Sequence, residues 1–388
     1  MIGRQIEKEL RTMLDEFPVV SILGPRQSGK TTLTRKALPS YRYINLEDPD
    51  QRAYAAQDPQ SFFKDIGRDH VILDEIQRVP ELLSYIQVIV DEQKINGQFV
   101  LTGSHQLYLQ QGISQSLAGR TGILKLWPLS VQELKKAHRE LGDFSNCAFH
   151  GFLPRVFDQA IRPYAAYQSY YKTYVERDVQ QLIQIKQLHL FEKFIRLMAG
   201  RAGQILAYQT LANDVGTSIP TIKSWLSILE ASFILYRLNP YYENFGKRVI
   251  KAPKYYFIET GLLVYLLGIE KPDHIQRDPL VGQIFENLVV MDAVKTKLNQ
   301  GKDPNLYFYR DNNQNEVDLL YKQGRKFTAI EIKSAATFHP DMLKTVKKVQ
   351  QWIPDCNGSL IYNGPTRTQQ NTKLLHFSEA FTLFDRAP

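Results

Sequence analysis

Cysteine is nearly absent from this chain of 388 residues: Cys147 and Cys356 are the only two, and they stand far apart. That excludes a disulfide framework and a thiolate cage for a metal, and it suits a reducing compartment. Long apolar runs are missing too. The longest candidate, 261–269, falls well short of the roughly 18 residues that a membrane helix needs, so no membrane partner is expected. The opening decapeptide MIGRQIEKEL lacks the apolar stretch of a secretory leader, and a cytoplasmic location is the expectation. There is no internal repeat and no low-complexity tract. The eight histidines are scattered, with His70 beside one strand candidate, His105 after another, and His150 and His339 isolated. No His/Cys spacing suits zinc.

What is present is the make-up of a globular protein, 43% hydrophobic and 23% charged. Its length suits about two to three domains. A formal net charge of +8 permits nucleic-acid or phosphate partners without requiring them. Apolar runs at 19–23, 41–46, 71–73, 99–102 and 123–127 read as strands, and helical spacing at 5–17, 33–38, 62–66 and 80–91 falls between them. That alternation predicts a parallel α/β sheet. After Pro128 helical periodicity takes over. Leu211 and Val215 mark one short helix, Gly216 breaks it, and Ile222, Trp225, Leu226 and Leu229 mark a second. This is the pattern of a helix-turn-helix, with a wing starting at 235–238. A third unit follows, with helices at 280–297 and 340–351 and strands at 306–309, 316–321, 327–332 and 359–362. The expected domains are 1–129, 130–260 and 261–388.

The strongest motif stands directly after the first strand. Gly24, Pro25, Arg26, Gln27, Ser28, Gly29, Lys30 and Thr31 spell the full G-x-x-x-x-G-K-[ST] pattern, and Thr32 continues into helix. Backbone amides of such a loop, with the helix N-terminus behind them, form a nest for phosphate. Lys30 is expected at the β/γ-phosphates and Thr31 at Mg²⁺. A later strand ends in Asp74 and Glu75. Asp74 is the expected second Mg²⁺ holder, and Glu75 the group that orients and activates the attacking water. No Asn-Lys-x-Asp guanine signature is present, so ATP is the expected nucleotide. Thr102 or Ser104 is placed to sense the γ-phosphate or to cap its strand. Positive charge for the transferring phosphoryl group would come from Arg120, in cis or across a subunit boundary, or from Arg26.

A second acidic set stands near the C-terminus. Glu331 and Lys333 lie two apart on one strand and so share a face. Asp318 stands on the preceding strand, which can pair with it through a turn near Gln323, and Glu286 can join from a packed helix. Carboxylates beside a lysine are the equipment of a Mg²⁺-dependent phosphodiesterase: Glu286, Asp318 and Glu331 hold the metal, and Asp318, Glu331 and Lys333 serve the chemistry. The pattern leaves open whether the site cuts nucleic acid or only binds it.

Two other features read as surface or packing. A basic patch at 246–254, next to the expected winged helix, would touch a DNA backbone or form a solvated linker. Tyr164, Tyr167, Tyr170 and Tyr171, at three- and four-residue spacings, form a packing stripe. Glu176, Arg177 and Asp178 at its end suit an ion network between domains.

The segments GPRQSGKTT (24–32), INLEDP (44–49), VILDEIQRVPELL (71–83), LTGSHQL (101–107), SLAGR (116–120), GQIFENLVV (282–290), YFYRDNNQNEVDLL (307–320) and AIEIKS (329–334) occur in order along nearly the whole chain. Together they resemble the bacterial and archaeal AAA-type ATPases, AAA_14, that carry a C-terminal DUF4143 domain. The resemblance implies a P-loop ATPase core with a parallel sheet, a helical middle with a winged helix, and a C-terminal α/β domain similar to Holliday-junction resolvase and restriction-endonuclease folds. It places Lys30 and Thr31 in the phosphate loop, Asp74 and Glu75 in the second acidic motif, and Ser104 near the sensor. Glu286, Asp318, Glu331 and Lys333 match the nuclease positions. The expectation is an ATP-hydrolysing, DNA-associated protein using ATP and Mg²⁺. The alternative is a regulatory ATP switch that binds DNA or protein without cleaving it. A homo-oligomer or a protein partner completes the expected partners.

Overall fold

A computed structural model describes residues 2–104, 116–139, 142–179, 188–241, 252–369 and 372–385. His105, residues 246–251 of the basic patch, and the side chains of Glu176, Arg177 and Asp178 lie outside the described residues.

The first sheet contains β1 (Val19–Leu23), β2 (Arg42–Asn45), β3 (Val71–Asp74), β4 (Phe99–Gly103) and β5 (Thr121–Lys125). Its order is β2-β3-β4-β1-β5, and every neighbouring pair is parallel. Strands covered on both faces can be apolar throughout, which is why 19–23 and 99–102 read as continuous runs. The alternation is still visible in the packing. Val20, Ile22, Ile72, Val100 and Leu124 face one core with Leu10 and Leu33, while Val19, Leu23, Val71, Leu73 and Phe99 face the other with Phe62 and Ile86. The fifth strand begins two residues earlier than its apolar pattern suggested and ends before Trp127.

The middle of the chain is helical. Helix Pro163–Tyr170 runs on into a π-helix, Tyr171–Val179; of the expected stripe Tyr167, Tyr170 and Tyr171 are buried and Tyr164 is half-buried, and Tyr174 is buried with them. Helices Tyr208–Val215 and Ile219–Ala231 meet at Gly216, whose φ of +89° suits a residue without a side chain. Ser218 caps the second helix through the Thr221 amide. A two-stranded antiparallel ribbon follows, β6 (Leu235–Leu238) with β7 (Lys254–Phe257). Neither β7 nor its burial is expected from the sequence, because a lysine opens the strand.

The last sheet is mixed, in the order β12-β13-β11-β10-β9-β8, with β8 (Leu306–Arg310), β9 (Glu316–Gln323), β10 (Lys326–Lys333), β11 (Cys356–Tyr362), β12 (Arg367–Gln369) and β13 (Thr372–His376). β9 and β10 form a hairpin that turns at Gly324, φ +59°. β10 runs parallel to β11, with helix Lys344–Trp352 between them in sequence. Helix Val281–Leu298 is buried along nearly its whole length. One contiguous apolar core includes Val19 and Phe99 of the first sheet, Trp225 of the middle region, and Phe285 and Val294 of this helix. The core therefore has no break at residue 130 or 260. Among the described residues no helix is long and apolar enough to cross a membrane.

Candidate active site

The phosphate loop leaves the C-terminal end of β1, and Lys30 opens the helix Lys30–Ala37. Gly29 stands at its cap with φ +91°, and a Cβ on Gly24 would run into the Leu126 carbonyl, so both glycines are required by the backbone. Lys30 Nζ donates to the carbonyls of Gly24 at 2.9 Å and Pro25 at 3.0 Å. Burial pulls its pKa down, against the opposing pull of Glu75 and Asp74.

Strand order completes the site. β4 lies between β1 and β3, so the end of β4 separates the phosphate loop from the acids. Asp74 is buried and held by neutral donors: Thr31 Oγ1 at 2.8 Å and Tyr43 OH at 2.6 Å on Oδ2, and Thr102 Oγ1 on Oδ1. Glu75 has φ +58°, a left-handed backbone that costs about 1 kcal/mol in a residue with a Cβ. Its Oε2 accepts from Ser104 Oγ at 3.0 Å and from Gln77 Nε2. Burial alone would raise the Glu75 pKa, but Lys30, Gln77 and Ser104 outweigh it and hold the carboxyl low. Glu75 is therefore an ionised acceptor at neutral pH.

Arg26, Gln27, Gly29, Lys30, Thr31, Thr32, Glu47 and Glu75 line a cleft of about 440 Å³ together with Pro154, Arg155, Asp158, Gln159, Thr173 and Tyr174 of the middle region. The expected loop residues and Glu75 thus meet, with Asp74 and Ser104 at the ends of the neighbouring strands. Arg120 does not join them. It precedes β5, its carbonyl accepts from the Val19 amide at the opening end of β1, and its side chain pairs with Asp91 at 2.6 Å. Because all five strands run the same way, Arg120 sits at the end of the sheet opposite the phosphate loop. That rules out the role in cis within this conformation. Sequence reasoning missed Tyr43, Gln77 and Arg155. Only Gln77, two residues after Glu75, carried a local signal.

The second acidic set is also assembled, but differently. Lys333 Nζ lies 2.6 Å from Glu331 Oε1 and 3.6 Å from Asp318 Oδ2, so the same-face and hairpin expectations meet in one ion group. Asp318 Oδ2 also accepts from the Ile332 amide at 2.8 Å. Beside it, Glu286 receives Tyr256 OH at 2.6 Å and Lys254 Nζ at 3.1 Å. Lys254 also meets Glu316 Oε1 at 2.7 Å, and Arg310 pairs with the other oxygen of Glu316 at 2.8 Å. Burial and the nearby Asp318 push Glu331 up to about 8, despite Lys333.

Lys254 corrects the basic-patch reading at its last residue. It is 2% exposed, an internal counter-charge delivered by β7 rather than a solvated lysine. Glu316 and Tyr256 were likewise missed, since their roles arise only when β7 packs against β8 and β9. Among the described residues, no group of three or more His, Cys, Asp or Glu side chains has the arrangement of a metal site.

Three family models match in succession: an AAA domain, AAA_14, over residues 16–135; a domain of unknown function, DUF8612, over 141–273; and a domain of unknown function, DUF4143, over 281–379. The chain carries an N-terminal AAA ATPase domain and a C-terminal DUF4143 domain. It is an ATP-hydrolysing enzyme, and the AAA domain contains the first site. An uncharacterized protein of Mycobacterium tuberculosis is 29% identical over 370 residues, covering 94% of this chain and 80% of that protein. One of Haemophilus influenzae is 25% identical over 305 residues, covering 71% and 74%. Among solved structures, the Walker-type ATPase of Pyrococcus abyssi aligns with a TM-score of 0.46 at 15% identity, covering 69% of this chain and 96% of that one. AMPPCP-bound DnaA from Aquifex aeolicus aligns at 0.31 and 12%, covering 58% and 85%.

Proposed function

We propose that the protein is an ATP-driven switch. ATP hydrolysis in the AAA domain resets how the middle region and the DUF4143 domain sit, and the helix-turn-helix contacts DNA without cutting it. One observation carries this reading: the cleft that holds Lys30 and Glu75 is also lined by the middle region, at Pro154, Arg155, Asp158, Thr173 and Tyr174. A phosphate gained or lost in a cleft lined by both regions changes the charge between them.

The residues suit the chemistry. Thr31 and Asp74 bring a hydroxyl and a carboxylate together at a strand end, which fits Mg²⁺, and that ion would neutralise phosphate oxygens when bound. Lys30 and Arg26 offset the remaining phosphate charge. Ionised Glu75 orients a water and accepts its proton as the water oxygen bonds to the γ-phosphorus. The bond to the β-phosphate bridging oxygen then breaks, leaving ADP and phosphate. Arg120 can reach a phosphate only on a neighbouring copy, so a role for it requires a homo-oligomer.

In this reading residues 1–129 are the ATPase core, 130–260 a helical region with a winged helix, and 261–388 a nuclease-like domain, all working in the cytoplasm. Lys223, Ser224 and Ser227, beyond the exposed cap residue Ser218 and Pro220, form the exposed polar face of the second helix of the helix-turn-helix, which suits a DNA groove. A metal-dependent nuclease is the competing reading. It is favoured by the convergence of Asp318, Glu331 and Lys333 and by the buried Glu331 Oε2, which has no hydrogen-bond partner among the described residues. Against it, each acid group already meets a lysine, so the set does not fit a ready metal centre. DNA binding at two salt concentrations tests the first reading: a switch of this kind shifts its affinity between ATP and ADP. Equal affinity in both nucleotides would defeat it.

A further inference from the structure

Arg4 lies just ahead of the first helix, Glu7–Glu16, and its side chain is 7% exposed. Nη1 donates to the Ser28 carbonyl at 2.6 Å, Nη2 to the Trp127 carbonyl at 2.6 Å, and Nε to Glu133 Oε1 at 3.0 Å. The three partners belong to the phosphate loop, to the segment after β5, and to the helix Val131–Lys136. One planar fork joins all three, which a single ammonium could not do with the same geometry.

The bond to Ser28 bears directly on phosphate binding. Gln27 and Gly29 flank Ser28 with φ values of +61° and +91°, so the backbone turns sharply here. A trans peptide points its C=O and N–H in opposite directions. Holding the Ser28 carbonyl against Arg4 therefore holds the Gly29 N–H on the other side, and Gly29 lines the nucleotide cleft. A flipped peptide would present an oxygen where an anion needs a donor.

Glu133 carries the link onward. Its Oε1 also accepts from the Gln5 amide at 2.9 Å, and its Oε2 from the Ser130 amide at 2.9 Å, closing a capping box. The Val131 amide then donates to Asp292 Oδ1 at 2.7 Å, and Lys295 Nζ donates to the Leu129 carbonyl at 3.2 Å. Asp292 and Lys295 stand on the long buried helix of the DUF4143 domain, so residues 127–133 are clamped between that domain and the phosphate loop.

We infer that Arg4 is a positioning residue for ATP: it fixes the Ser28–Gly29 peptide for phosphate binding and ties that setting, through Glu133 and Val131, to Asp292 of the DUF4143 domain. The test is steady-state ATP hydrolysis by the full chain, comparing wild type with Arg4→Met, Arg4→Lys and Asp292→Leu, with folding checked by circular dichroism. Arg4→Met raises the KM for ATP about tenfold while kcat stays within about twofold, because loop geometry and not the chemical step is altered. Arg4→Lys keeps the charge but serves fewer acceptors, and its KM falls between the two. Asp292→Leu, far from the cleft, raises KM about threefold. If Arg4→Met does not fold, Arg4→Lys decides. An unchanged KM in Arg4→Lys, or a loss of kcat at unchanged KM, overturns the positioning role. An unchanged KM in Asp292→Leu overturns the link to the DUF4143 domain.

Discussion

The two acidic sets of this protein use the same kinds of residue, but their acids are held in different ways. In the AAA domain Asp74 is held by the hydroxyls of Thr31, Tyr43 and Thr102, and Glu75 by Ser104 and Gln77. In the DUF4143 domain Asp318 and Glu331 meet Lys333, while Glu286 and Glu316 meet Lys254. A neutral donor orients a carboxylate and leaves its negative charge available to a cation that arrives later. A lysine cancels that charge within the fold. In the proposed reading the first arrangement serves Mg²⁺ and ATP, while the second is an ionic core that ties β7 to the long helix and to β9, and β10 to β9.

The largest effect that tests this contrast is Lys30→Ala. It removes the charge at the phosphate loop and should cut ATP turnover by about 100- to 1000-fold, read as phosphate release. Its thermal midpoint should stay near that of wild type, because among the described residues Lys30 Nζ bonds to loop carbonyls. Lys254→Met should do the reverse. It leaves Glu286 buried without its cation and should cost about 3–5 kcal/mol in urea denaturation. A variant as stable as wild type would mean that the second set is not an ionic core.

The two sets should also respond to pH with opposite signs. Glu331 is raised to about 8, so between its ordinary value of 4.5 and about 8 the folded state holds the extra proton, and stability falls as pH rises through that window. Glu331→Gln should remove this slope and gain on wild type by up to a few kcal/mol at pH 8 relative to pH 5. Glu75 is lowered, so its contribution is present above 4.5 and fades as pH falls below it. Matching slopes for Glu331→Gln and Glu75→Gln would break the contrast. The smallest effect is expected from Tyr43→Phe, which takes one of three donors from Asp74 and should lower turnover about three- to tenfold without moving the fold.

The sequence was most legible where chemistry is local. The phosphate loop follows β1 within a few residues, Asp74 and Glu75 close β3, and the β9–β10 hairpin brings Glu331 to Asp318 through simple alternation. Some structure was missed although its signal was there: helix Pro49–Gln57 buries only Ala55, but Asp48 caps it and Pro49 starts it. Edge strand β12 is exposed throughout and so has no apolar pattern to read. The long-range partners were hidden for a different reason. Arg4 and Glu133 are 129 positions apart, and Lys254 reads as one more lysine in a basic stretch until β7 pairs with β6. Charge type is visible in a sequence, but which charges are buried together depends on tertiary packing.

The central claim, that only the hydroxyl-held set does chemistry, is tested most directly by assaying both activities in one reaction. Wild type, Glu75→Gln and Asp318→Asn would be incubated with ATP, Mg²⁺ or Mn²⁺, and branched, single-stranded and duplex DNA. The account predicts that ATP is consumed by wild type and Asp318→Asn, that consumption is lost in Glu75→Gln, and that the DNA stays intact throughout. Metal-dependent DNA products that disappear in Asp318→Asn would contradict it and make the DUF4143 domain a nuclease.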